Sequence, residues 1–76
     1  MAEKQWWVVQ SFGELLGVTD DLATAEAALR SKYREDFPGV NVAALGFDIK
    51  FMDWYLFSSV SRQCLWDYSA KRTGEL

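Results

Sequence analysis

Hydrophobic positions along the chain change period several times, and each change marks an element. From Lys4 to Phe12, Trp6, Val8 and Phe12 share one parity and Trp7 and Val9 the other, with aromatic and β-branched residues throughout. This is the pattern of a strand whose two faces both want cover. Gly13-Glu14 fits a tight turn with glycine at its first central position, so Leu15 to Val18 are expected to return as a short second strand. Thr19-Asp20-Asp21 then offers N-cap oxygens and negative charge at the positive end of a helix dipole. Leu22, Ala25, Leu29, Tyr33 and Phe37 follow at helical spacing as one apolar stripe, with Glu26/Arg30 and Lys32/Asp36 as favourable pairs four apart. Phe37-Pro38-Gly39 ends that helix, because the residue before proline is pushed out of the α region.

Alternation resumes after the glycine. Val40 and Val42 keep one parity, and Leu45, Phe47, Ile49 and Phe51 keep the other, which predicts a bulge or a break near Ala43-Ala44. Asp48 and Lys50 then point away from the core. A turn around Met52-Asp53 leads into a strand from Trp54 to Val60, with Trp54, Leu56 and Val60 on one face and Tyr55 and Phe57 on the other. Beyond Ser61 the spacing fits either a strand or a helix, so residues 61–70 stay open between the two. Residues 71–76 read as a loose tail.

The predicted order is β-β-α-β-β with an ambiguous C-terminal segment. This is an α+β domain: an antiparallel sheet of three to five strands with one helix packed on one face. One helix covers one face only, yet Trp7, Val9, Tyr55 and Phe57 make the second face apolar in places.

Composition narrows the picture. The 76 residues suffice for a single domain, 50% of them are hydrophobic and 16% aromatic, and the lone Cys64 leaves no intramolecular disulfide to reinforce the core. Met1 to Gln5 lack the basic start and apolar run of a secretory signal, and no apolar stretch approaches a membrane span, so a cytoplasmic protein is expected. Eleven acidic against eight basic residues give a net charge of −3, which opposes generic binding to nucleic-acid phosphates.

Candidate chemistry is sparse. Without histidine the chain lacks the commonest general base and transition-metal ligand, and a lone cysteine beside Leu65 and Trp66 is usually a small buried hydrophobe. Asp20-Asp21 matches no calcium-loop spacing and reads as a helix cap. The five glycines are scattered and build no phosphate-cradling loop. The expectation is a protein without enzymatic activity, cofactor or metal.

What remains is an unusual supply of rings. Trp7, Trp54 and Tyr55 are expected to contact a partner, and Asp20, Asp48 and Asp53 to form an acidic rim around them. In profile the chain resembles the tiny, acidic, catalytically bare proteins with which phages and mobile elements block host machinery, anti-CRISPR inhibitors among them. That resemblance implies an inhibitor or adaptor that occludes a surface of a larger protein, with proteins that handle nucleic acid among the candidates. The alternative is a self-associating domain that holds a small ligand at a homodimer interface.

Overall fold

A computed structural model of the protein describes residues 5–73. The order of elements is β-β-α-β-β-β: β1 (Trp7–Ser11), β2 (Glu14–Thr19), α1 (Leu22–Asp36), a 3-10 turn (Val42–Ala44), β3 (Leu45–Lys50), β4 (Asp53–Ser58) and β5 (Gln63–Arg72). The strands form one five-stranded antiparallel sheet in the order β2-β1-β5-β4-β3, so the domain is α+β as its pattern predicts. The segment that periodicity left open is the longest strand of the sheet. Two partners decide it, since β5 lies between β1 and β4 and satisfies its backbone on both sides.

The helix keeps its predicted bounds because its ends are local. The Asp21 carboxylate accepts from Ala23 N–H at 3.2 Å and from the Thr24 hydroxyl at 2.7 Å, and at the other end Phe37 N–H reaches Tyr33 O at 2.8 Å. Ala25 and Leu29 of the stripe are fully buried, while Leu22 and Tyr33 pack against the same core. Lys32 and Asp36 pair at 3.3 Å, whereas Arg30 stands over the Phe47 ring, 4.8 Å from its centroid.

Several boundaries move. The first turn is centred on Phe12-Gly13, one residue earlier than expected, with φ of 52° and 79°. Positive φ at both central residues matches the right-handed twist of the flanking strands, and Gly13 meets that requirement without steric cost. Residues 40–42 make no strand: Asn41 caps the 3-10 turn, accepting from Ala43 N–H at 3.1 Å, and this accounts for the parity break at Ala43-Ala44. The β3–β4 turn is Phe51-Met52, again one residue early, and Val60 belongs to the β4–β5 connection. Lys71 and Arg72 are not a tail. They pair with Val8 and Trp7, and Thr73 N–H reaches Trp6 O at 3.2 Å. Residues 74–76, like the expected strand start at Lys4, lie outside the described residues.

The core lies between α1 and one sheet face, where Trp7, Val9, Leu45, Leu56, Tyr68 and Ala70 meet Ala25 and Leu29. Among the described residues no helix is long and apolar enough to cross a membrane.

Candidate functional site

The six residues expected to form a binding surface are not gathered on one face of the sheet. Trp7 is 5% exposed and sits under the helix, edge-on to Trp54 with centroids 5.0 Å apart. Val9 lies beside it in the core, so the β1 residues assigned to an uncovered face are the covered ones. Parity groups residues correctly but does not say which group the helix selects.

Of the three carboxylates, Asp48 and Asp53 stand near each other on paired strands, opposite Tyr55 and Lys50, and Asp20 is remote. Asp20 follows β2 at one edge of the sheet and Asp48 lies on β3 at the other, four strand spacings or about 19 Å away. Asp53 closes the β3–β4 turn, where its carboxylate accepts from Arg72 N–H at 3.0 Å. A continuous acidic rim is therefore absent among the described residues.

A different constellation occupies the helix-free face. In β5 the pairing with β4 slips between Leu65, opposite Leu56, and Ser69, opposite Tyr55. Trp66, Asp67 and Tyr68 form the resulting bulge, and Phe12 N–H ties it to β1 by bonding Asp67 O at 2.9 Å. Bulges re-aim side chains, and this one sends its rings to opposite faces. Tyr68 enters the core, where its hydroxyl donates to Asp36 at 2.7 Å. Trp66 turns to the other face, edge-on to Tyr55 with centroids 4.8 Å apart.

Tyr55 is therefore buried, 8% exposed, on the face without a helix, and Trp66 above it keeps 54% of its surface open. Beside the pair lies an open depression of about 490 Å³, lined by Trp66, Phe57, Cys64, Asp48, Lys50 and Arg62. Its rim carries both signs: Lys50 contacts Asp48 at 3.4 Å, and Arg62 enters from the β4–β5 connection with φ of 56°. Burial and the nearby Asp48 carboxylate push the Cys64 thiol above its ordinary value, so it is a poor thiolate source near neutrality. No group of three or more metal-binding side chains occurs among the described residues.

The signal that bears on Trp66 is its even spacing with Cys64 and Tyr68, interrupted only by the apolar neighbour Leu65. Only the pairing of β5 with two neighbours turns that pattern into an exposed ring. Comparison with protein-family models, with curated proteins and with solved structures finds no match to this chain.

Proposed function

We propose that the protein is a non-catalytic binding module whose helix-free sheet face docks on a larger protein, with Trp66 as anchor. The observation that supports this reading is the seating of Trp66: half exposed, yet held edge-on against the buried Tyr55 ring. Ordering a side chain on binding costs about 0.5–1.5 kcal/mol, and a ring already held in place avoids much of that cost. Tryptophan and arginine are also the residues most enriched among those that dominate interface energies. Phe57 extends the apolar centre, and Lys50 and Arg62 fit carboxylates on the partner. Asp48 stays beside Lys50, so this rim carries both signs and differs from the acidic rim expected. In its small size and acidic balance the chain suits an inhibitor or adaptor of the kind phages and mobile elements carry.

The test is a capture experiment from nuclease-treated bacterial lysate with tagged wild type, Trp66→Ala and Arg62→Glu, each first shown by circular dichroism to be folded. One stoichiometric protein should be retained by wild type, lost with Trp66→Ala and weakened by Arg62→Glu. Capture indifferent to both substitutions removes the assigned face. A discrete oligomer of the protein alone would instead favour self-association, and salt-sensitive oligonucleotide binding would favour nucleic acid.

A further inference from the structure

The two edges of the sheet are finished differently. On β3, the two-residue turn makes Lys50 and Asp53 the hydrogen-bonded closing pair, so Ile49 turns its N–H outward. Asp48 Oδ1 accepts that N–H at 3.0 Å and its other oxygen meets Lys50 at 3.4 Å, which blunts the edge with charge. On β2, Glu-Leu-Leu-Gly-Val-Thr, the exposed edge positions Leu15 and Val18 are apolar and no cation is present. Alternation along β1 sends Val8's backbone toward β5 and leaves its neighbour Val18 facing Val8 in a non-bonded pair. The N–H and C=O of Val18 consequently point out of the sheet. The bulge at Leu16, just before Gly17, limits the regular edge to Gly17–Thr19.

Next to this edge, between β2 and α1, lies a cavity of about 170 Å³ walled by Leu16, Gly17, Val18, Thr24, Ala25 and Ala28. This is several times the roughly 30 Å³ share of one water molecule, room for an aliphatic side chain. The walls are low because α1 presents alanine and threonine there, and Gly17 adds no side chain on the helix side. Residues 14–28, which build edge and groove, contain Glu14, Asp20, Asp21 and Glu26 and no lysine or arginine.

We propose that β2 and the adjoining α1 groove take up an extended segment of a partner protein as a sixth strand, with an aliphatic side chain in the cavity and basic residues on either side of it. Main-chain bonds to Val18 supply affinity, and the uncharged cavity, with carboxylates at both ends of β2, supplies selectivity. The site is separate from the Trp66 face and does not rest on it.

The test titrates the 15N-labelled full chain with the acetylated, amidated peptide Lys-Val-Lys-Leu-Lys-Val-Lys and follows backbone amides by NMR. Shifts should concentrate at Leu15–Thr19 and Thr24–Ala28, with the Val18 amide gaining protection from exchange. Two variants separate the contributions. Gly17→Leu fills the cavity, since a Cβ there meets nothing within 4 Å, and Val18→Pro removes an N–H that the native sheet does not use. Each should remain folded and weaken the peptide about tenfold or more, the equivalent of about 1.4 kcal/mol, while Val60→Ala, in the exposed β4–β5 connection, leaves it unchanged. The proposal is overturned by no shifts at millimolar peptide, or by shifts that disappear at high salt and ignore both variants. Protection of Val18 that rises with protein concentration alone would also overturn it, assigning the edge to a second copy.

Discussion

The two faces of the sheet draw on the same aromatic and aliphatic vocabulary and end in opposite states. Under α1, Trp7, Val9, Leu56, Tyr68 and Ala70 are all buried, and Leu29 and Ala25 fill the gaps from above. On the other side Tyr55 is buried with Trp66 edge-on against it, and Phe57 and Cys64 remain half-buried around an open depression. A helix fixes one face as a core; a single edge-on ring makes the other a surface that is ordered without being closed. The same β5 bulge serves both, since Tyr68 and Trp66 leave it in opposite directions.

Truncation is the strongest way to challenge that contrast. Leu56→Ala should cost about 2–5 kcal/mol, a large part of the roughly 4–11 kcal/mol available to a chain of this length. Trp66→Ala should cost less, because the ring contact of about 0.5–1.5 kcal/mol is added to the burial of only about half of the side chain. Urea unfolding of both variants measures the difference, and equal losses would mean that the helix-free face is a second core.

A smaller effect concerns the β3–β4 turn. Phe51 and Met52 hold φ of 54° and 70° although neither is glycine, and Phe51 is 87% exposed, so its ring gains little from the position. The left-handed conformation costs a non-glycine residue on the order of 1 kcal/mol. Replacing the pair by Asn-Gly, the sequence such a turn prefers, should raise stability by about 1 kcal/mol without moving the Tyr55 or Trp66 resonances. A loss of stability would show that Phe51 or Met52 makes a contact worth more than the strain.

The smallest effect depends on pH and belongs to the core side alone. The hydrogen bond from Tyr68, aided by the Lys32 ammonium, holds the Asp36 carboxyl below its ordinary value of 3.8 against the opposing effect of burial. A depressed carboxyl contributes stability that is complete above its unfolded value and disappears as pH falls through the folded one. The advantage of wild type over Tyr68→Phe should therefore be constant near neutrality and shrink below pH 3.8, read as the gap between urea midpoints. A gap independent of pH would mean that Tyr68 acts through packing alone. Tyr68 itself is pushed well above its usual range, by burial first and by Asp36 second.

Local chemistry determined much of this molecule. Asp21 caps the helix and Phe37-Pro38 ends it through contacts within a few residues, and the alternation in β1, β3 and β4 requires no distant partner. Lys50 and Asp48 point away from the core for the same reason. The tertiary structure decided the rest: that residues 63–72 are strand, that α1 covers the parity of Trp7 rather than that of Tyr55, and that Trp66 is the exposed ring. The physical reason is that alternation fixes which side chains share a face, a property of one strand. Which face is covered, and where a bulge re-aims a ring, depends on β5 pairing with β1 and β4 at once across long separations in the chain.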